Sequence, residues 1–177
     1  MRVIGGEFRS RRLKSLPGLD TRPTPDRMRE TLFNVLAQRV PDCVFLDIYA
    51  GTGAVGIEAL SRGARRAIFI EKNRAAVEVI RENLAALGIQ GHAEIFTAKA
   101  AVVLEWARAD IAFVDPPYEL SKEYEASMTA LDGSETALVI VQHSAHFAPQ
   151  ERYGGFGRYR QIKQGDNCLS FYRRSST

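Results

Sequence analysis

The sequence lacks a hydrophobic run long enough to cross a membrane. Its longest apolar stretches are strand-sized, whereas a transmembrane helix needs roughly 20 apolar residues. The opening residues MRVIGG show no apolar signal core and no cleavage site. Cysteine is also scarce: the 177 residues include only Cys43 and Cys168, which we expect to be reduced, buried and structural. These absences favour a single cytoplasmic domain over a membrane protein or a disulfide-stapled secreted one.

Acidic residues are few at both ends of the chain. The net charge of +3 divides into +5 over residues 1–40, −6 over residues 41–150 and +4 over residues 151–177. Basic ends around an acidic centre favour a polyanion held by the ends and a different ligand bound by the middle. An ordinary solvated surface explains the charges equally well, so the pattern alone does not decide between the two.

The N-terminal part of the chain has the pattern of a basic extension. Residues 2–14 contain two short strand-like runs around Gly5 and Gly6, which predicts a β-hairpin. Residues 15–24 are punctuated by proline and glycine and are typical of a linker. We therefore expect residues 1–23 to form an extension to the main domain.

The main domain is expected to span residues 24–177. Thr24 is a candidate N-cap, and Pro25 suits the first position of the helix that follows. Strand-like and helix-like segments then alternate, with strands predicted at 44–49, 67–71, 93–96, 111–115 and 137–143, helices at 54–62, 73–87, 99–107 and 121–131, and a final hairpin over 157–173. This alternation predicts an α/β fold whose sheet is mostly parallel with an antiparallel edge.

The first predicted strand is followed by a glycine-rich loop. Gly51, Gly53 and Gly56 match the pattern G-x-G-x-x-G, which by itself is compatible with NAD, FAD or S-adenosylmethionine. Glu71 ends the next strand about 20 residues further on, where a carboxylate can accept both ribose hydroxyls. The pair predicts a site for an adenosine-bearing cofactor, although Glu71 as a plain exposed charge is the alternative.

Asp47 helps to choose between these cofactors. A carboxylate buried in the strand before the loop is costly without a cationic or hydrogen-bonding partner. The amino-acid tail of S-adenosylmethionine offers such a partner, whereas a pyrophosphate is repelled. Asp47 therefore favours S-adenosylmethionine over NAD or FAD as the cofactor.

The segment FVDPPYE follows the fourth predicted strand. Pro116 and Pro117 fix two φ angles, and the residue before them is pushed away from helix. The Asp115 carboxylate and the carbonyl between the prolines are thus rigid acceptors, suited to the two hydrogens of an exocyclic amine. Tyr118 supplies a ring on which a flipped base can stack. A proline turn that merely ends a strand is the alternative.

These motifs resemble one bacterial family over nearly the whole chain. The segments that carry the likeness are RVIGGEFRSRRLKSLPG, TRPTPDRMRETLFNVL, LDIYAGTGAVGIEALSRGA and DPPY. They resemble the 16S ribosomal RNA guanine-N2 methyltransferases that modify guanine 966 of the small subunit. The resemblance implies a Rossmann-like, seven-stranded methyltransferase sheet with an N-terminal hairpin, and S-adenosylmethionine as co-substrate without a metal.

The resemblance also implies roles for particular residues. The RPTPDR segment is expected to fold over the donor, which places Arg22 and Thr24 near it. Cofactor binding is assigned to Asp47, Gly51, Thr52, Gly53, Glu71 and Ala98, and the reaction site to Asp115, Pro116, Pro117 and Tyr118.

The sequence departs from the family pattern at two strand ends. Lys99 stands where we expect an acid to meet the adenine amine, so a backbone amide near Ala98 is the expected substitute. An acid is also expected near Gln142 and His143 after the fifth strand, and none is present. His143 is more consistent with a structural role than with a functional one.

The basic residues of the extension are candidate RNA contacts. Arg9, Arg11, Arg12 and Lys14 lie on the predicted hairpin, where they can bind phosphates in a salt-dependent way. Phosphate contacts position a substrate without selecting one guanine. The resemblance implies that 16S rRNA within an assembled small subunit is the partner. We expect the enzyme to be cytoplasmic, from its few cysteines, and to act as a monomer. The GGFGRYRQIK segment is more typical of an edge strand than of an RNA site.

Four other functions are compatible with parts of this pattern. A DNA adenine-N6 or protein glutamine methyltransferase shares the chemistry, but the first needs a target-recognition domain and the second usually has asparagine before the prolines. An NAD(P)-dependent oxidoreductase shares the glycine pattern, but it needs a Tyr/Lys, His or Cys catalytic group beside the nicotinamide. No such group stands out in the sequence. A catalytically silent RNA-binding module has no use for an intact DPPY motif.

Overall fold

The computed structural model describes residues 1–17, 24–117 and 119–176. Its strands are β1 (Val44–Ile48), β2 (Arg66–Ile70), β3 (Ala93–Phe96), β4 (Ile111–Val114), β5 (Leu138–Ser144), β6 (Arg152–Tyr153), β7 (Phe156–Gln164) and β8 (Asn167–Arg174). Its α-helices are α1 (Asp26–Leu36), α2 (Ala54–Ser61), α3 (Arg74–Leu87), α4 (Ala100–Leu104) and α5 (Ser121–Asp132). The strands form one sheet in the order β3-β2-β1-β4-β5-β8-β7-β6.

The predicted fold class is confirmed. Strands β1 to β5 are parallel, and β8 pairs with β5 in the antiparallel direction and with β7 as the predicted hairpin. The two-residue strand β6 was not predicted, and it adds an eighth strand to the seven expected. It forms because Arg152 and Tyr153 turn back to pair with Gly157 and Phe156.

Strand alternation divides the core into two layers. Phe45, Phe69 and Phe113 point to one face of the sheet, where they are buried under α1, α2 and α3. Leu46 and Val114 point to the other face and pack under α4 and α5. Because successive side chains of a strand alternate between faces, this pattern also fixes which strand-end residues share a face.

The two runs of the N-terminal segment pair over a short length. An isolated antiparallel bridge joins Arg2 to Arg12, and backbone hydrogen bonds of 2.9 Å run from the Val3 amide to the Arg11 carbonyl and from the Leu13 amide to the Met1 carbonyl. The amides of Ile4 and Gly5, beyond this pairing, each donate a 2.9 Å hydrogen bond to the buried carboxylate of Glu58 in α2. The predicted hairpin is therefore present in a short form, and a side chain of another element binds the segment that follows its first run.

The start of α1 also differs from the prediction. Thr24 is not the N-cap: Pro25 occupies that position with ψ of 144°, and no side chain of the described residues caps the helix. Since Pro25 remains extended, the helix begins at Asp26, whose carboxylate accepts a 2.8 Å hydrogen bond from the Arg29 guanidinium. Thr24 is left buried beside the carboxyl edge of the sheet.

Two features of the composition can be followed into the structure. Cys43 and Cys168 are buried free thiols, as expected. Within the described ranges, no helix has both the length and the hydropathy that crossing a bilayer requires.

Candidate active site

A cavity of about 840 Å³ opens at the carboxyl edge of the parallel strands. This is where ligands bind in open α/β sheets. Of the residues predicted for the site, Thr24, Asp47, Gly51, Thr52, Glu71, Ala98, Asp115, Pro116 and Pro117 line it. Arg22 and Tyr118 lie outside the described residues. One cavity thus brings together the glycine loop and the segment Asp115, Pro116 and Pro117 after β4, which we call the Asp115 corner.

The glycines after β1 have structural tasks that differ along the loop. Gly53 is the N-cap of α2 and has a φ of 82°, a left-handed conformation that side chains rarely adopt. Gly53 is not part of the cavity lining, although Thr52 and Ala54 on either side of it are. A Cβ atom on Gly56 would come within 2.3 Å of the Phe69 ring, so glycine allows α2 to pack closely against β2.

Asp47 lies fully buried in β1, and its carboxylate accepts a 2.9 Å hydrogen bond from the Gly56 amide. Burial raises the pKa of Asp47 well above its usual value, although the Gly56 hydrogen bond counteracts this and the charges of Asp115 and Glu71 reinforce it. The helix amide supplies part of the stabilisation that the sequence argument assigned to a ligand. The side chain also lines the cavity, where a positive group can supply the remainder.

Glu71 is oriented by two backbone amides. Its Oε2 accepts a 2.8 Å hydrogen bond from Gly51, and its Oε1 accepts a 2.9 Å hydrogen bond from Asn73. Each carboxylate oxygen can accept more than one hydrogen bond. The carboxylate is therefore held in place beside the glycine loop and can still accept from a ligand hydroxyl.

Asp115 directly follows β4 and stands in the cavity wall beside Pro116 and Pro117. Burial raises the pKa of its carboxyl group from 3.8 to about 7. At neutral pH the group therefore exists in both protonation states, so it can accept hydrogen bonds and can also take up a proton.

Tyr49 and Glu123 line the cavity but were not found by sequence reasoning. Tyr49 has a φ of 63°, which is unusual for a bulky residue. Its hydroxyl donates a 2.8 Å hydrogen bond to Glu123 and lies 2.9 Å from the Ser127 hydroxyl. A tyrosine between a strand and a glycine loop carries no sequence signal that separates this role from core packing.

The end of β5 also contributes to the cavity. Gln142 lines it, although the sequence predicted no role for this residue. His143 points to the other face, where its ring nitrogens lie 2.8 Å from the Ser170 hydroxyl and 2.8 Å from the Ser144 carbonyl oxygen. Burial lowers the pKa of His143. These contacts agree with the structural role expected for His143.

The basic residues of the N-terminal segment lie away from the cavity. Arg11 donates a 3.1 Å hydrogen bond to the Ala86 carbonyl, and Lys14 forms a 2.7 Å ion pair with Glu82. The side chains of Arg9 and Arg12 are exposed and form no hydrogen bond or ion pair with the described part of the chain. Arg11 and Lys14 are thus bound to α3, whereas Arg9 and Arg12 face solvent.

The fold and this cavity define a class of protein. A parallel β3-β2-β1-β4-β5 arrangement continued by an antiparallel strand, with a glycine loop after β1, is the architecture of the Rossmann-like class I methyltransferases. Residues 1–173 match the model of the family described as conserved hypothetical protein 95, and the chain belongs to this family. The family resemblance seen in the sequence is thereby confirmed.

Similar proteins are found in several bacteria. The chain is 46% identical over 183 residues to ribosomal RNA small subunit methyltransferase D of Escherichia coli K12, covering 99% of this chain and 91% of that protein. The solved structure of the Escherichia coli protein yhhF has a TM-score of 0.88 and 35% identity, covering 100% of this chain and 99% of that one. A solved structure from Thermus thermophilus has a TM-score of 0.82 and 30% identity, covering 97% and 98% of the two chains.

Proposed function

We propose that this protein transfers a methyl group from S-adenosylmethionine to the exocyclic N2 of guanine 966 in 16S rRNA. The observation that carries the proposal is the shared cavity, in which the glycine loop and Glu71 face the same space as Asp115 and the two prolines. The similarity to ribosomal RNA small subunit methyltransferase D supports the choice of substrate. We infer that the enzyme acts as a cytoplasmic monomer on an assembled small subunit.

The acidic side of the cavity fits S-adenosylmethionine. Glu71, held by two amides, would accept hydrogen bonds from the ribose hydroxyls. Asp47 is buried with one amide partner and lines the cavity, so it would accept from the ammonium group of the amino-acid tail. Thr24 and Ala98 line the same space and would contact the remainder of the molecule. When bound, S-adenosylmethionine supplies an electrophilic methyl group on a positively charged sulfur.

The corner after β4 would hold the acceptor base. The exocyclic amine of guanine is a poor nucleophile, because its lone pair is delocalised into the ring. Asp115 and the Pro116 carbonyl would accept its two hydrogens and direct the lone pair towards the methyl carbon. Stacking of the base on Tyr118 remains a prediction from the sequence.

Proton balance gives Asp115 a second task. As the nitrogen–methyl bond forms, the sulfur–methyl bond would break and leave a neutral thioether. The amine nitrogen then becomes positively charged and must release one proton. A carboxyl group with a pKa of about 7 can accept that proton at neutral pH and return it to water afterwards. This role requires Asp115 to be ionised at the start of the reaction.

The test is a methylation assay on isolated ribosomal subunits. The protein is incubated with labelled S-adenosylmethionine and small subunits from cells that lack the modification, and the labelled base is mapped. We expect label on N2 of guanine 966, and none on subunits that already carry the modification. Label on duplex DNA, or on ribosomal protein instead of rRNA, contradicts the proposal.

A further inference from the structure

Gln142, a residue of the cavity wall, has a buried side-chain oxygen without a hydrogen-bond donor among the described residues. The residue is only 3% exposed and belongs to the lining of the cavity. Its Oε1 accepts no hydrogen bond from any of the described residues. Buried carbonyl oxygens almost always have a donor partner, and leaving one without a partner is costly. The arrangement points to a donor that arrives with a ligand.

The register of the sheet places Gln142 on the acceptor side of the cavity. Val114 in β4 pairs with Val141 in β5, so Asp115 and Gln142 each follow a paired residue on neighbouring strands. Their side chains therefore share the face of the sheet that Asp47 also occupies. Since β4 lies between β1 and β5, Asp115 separates Gln142 from the glycine loop.

We propose that Gln142 selects guanine by accepting a hydrogen bond from its N1–H, while its amide nitrogen donates to O6. This inference rests on the proposed function, because it assumes that Asp115 holds the exocyclic amine. In guanine, N1 carries a hydrogen and is next to the carbon that bears the amine. In adenine, the corresponding N1 is an acceptor, so the Gln142 oxygen meets a lone pair. Gln142 is thus a specificity-determining residue that rejects adenine.

The test uses 2-aminopurine, which keeps the exocyclic amine of guanine but has an unprotonated N1 and no O6. Small subunits are reconstituted with either base at the target position, and kcat/KM is measured for the wild-type protein. We expect a preference for guanine of about 10- to 100-fold, the range for lost hydrogen bonds that leave buried groups unpaired. Equal rates on the two bases overturn the proposal.

Two variants separate base recognition from a structural effect. The Gln142→Leu side chain has a similar size but no polar atoms. We expect this variant to prefer guanine over 2-aminopurine by no more than about threefold, and to bind S-adenosylmethionine with unchanged affinity. Gln142→Glu keeps an acceptor oxygen for N1–H but loses the amide donor to O6, so its preference should lie between those of the wild type and the Leu variant. A Leu variant that discriminates as well as the wild type overturns the proposal, as does a Glu variant that discriminates no better than Leu.

Failure of the proposed function gives a different result. If the wild-type protein labels an adenine, both the function and the pairing are overturned, since adenine N1 has no hydrogen to donate. If it labels guanine and Gln142→Leu has no effect on base preference, only the role of Gln142 is overturned. Because the wild-type preference needs no substitution, the proposal stays testable even if the Leu variant does not fold.

Discussion

The Tyr49 hydroxyl donates a 2.8 Å hydrogen bond to the Glu123 carboxylate. Tyr49 belongs to the loop after β1, and Glu123 lies in the first turn of α5, which follows the Asp115 corner. The bond therefore joins the two halves of the cavity. It also helps to hold Tyr49 in a left-handed backbone conformation that costs about 1–2 kcal/mol for a residue of this kind.

We expect Tyr49→Phe to lower kcat about 3- to 10-fold while the affinity for S-adenosylmethionine changes by less than twofold. The substitution removes the link between the halves of the cavity but leaves the ring in place. Single-turnover kinetics and calorimetry measure the two quantities. The control is Tyr159→Phe, which removes a hydroxyl bonded to Arg39 at 3.1 Å in an exposed position. Equal effects of the two variants on kcat would show that the link has no role in turnover.

Asp115→Asn should abolish most turnover, by at least about 100-fold, and should keep donor binding within a few-fold. The amide can no longer take up the proton and cannot accept with the strength of a carboxylate. Methylation of small subunits measures the first effect, and titration calorimetry measures the second. Nearly full activity would show that the role assigned to this carboxylate is wrong.

The same variant should be more stable than the wild type at high pH. Burial raises the folded-state pKa of Asp115 from 3.8 to about 7, so the native state binds more protons than the unfolded state between these values. The contribution of this group to stability is full below pH 3.8 and is lost as pH rises through about 7. In urea unfolding, the free energy of unfolding of Asp115→Asn should exceed that of the wild type by about 1–2 kcal/mol at pH 8 and by much less at pH 5. No change in this difference with pH would contradict the assigned pKa.

Turnover by the wild type should rise with pH and then level off. The reactive form has Asp115 ionised, and its pKa of about 7 without ligand sets an upper limit for the midpoint. The positive charge of the bound donor lowers this pKa further, because an opposite charge favours the carboxylate. Single-turnover rates between pH 5.5 and 9 test this, and a rate that falls across pH 6 to 8 excludes Asp115 as the proton acceptor.

Glu71→Ala should weaken S-adenosylmethionine binding at least about tenfold, with a smaller effect on the rate at saturating donor. The substitution removes the carboxylate expected to bind the ribose and frees the amides of Gly51 and Asn73. Calorimetry with S-adenosylmethionine measures the affinity. Glu78→Ala, at an exposed position of α3, is the matched control and should bind normally. Unchanged affinity in Glu71→Ala would count against the ribose assignment.

Much of the fold was predictable because the strands between residues 44 and 144 are marked by short apolar runs that end in polar or glycine residues. The same pattern located Asp47, Glu71 and Asp115, since parallel strands bring their carboxyl ends to one edge. The attachment of the N-terminal segment to α2 was not predictable in this way. Its amides bind Glu58, and a buried carboxylate in the middle of a helix gives no sign of its partners.

Some members of the site could not be found from the sequence. Gln142 precedes His143 in a strand where either residue could be the polar one that faces a ligand, and only the register with β4 decides between them. The contact between Tyr49 and Glu123 joins residues 74 positions apart, which no local pattern records. Local rules place residues at an edge, but the pairing of side chains across that edge depends on tertiary packing.

The contacts of Glu58 have a consequence for the order of events during synthesis. Ile4 and Gly5 leave the ribosome well before the helix that carries their carboxylate partner, and Arg11 waits still longer for the Ala86 carbonyl. These residues therefore reach their final contacts later than they are translated. The Arg11 and Lys14 side chains therefore stay without their partners in α3 until residues 82 to 86 have been made.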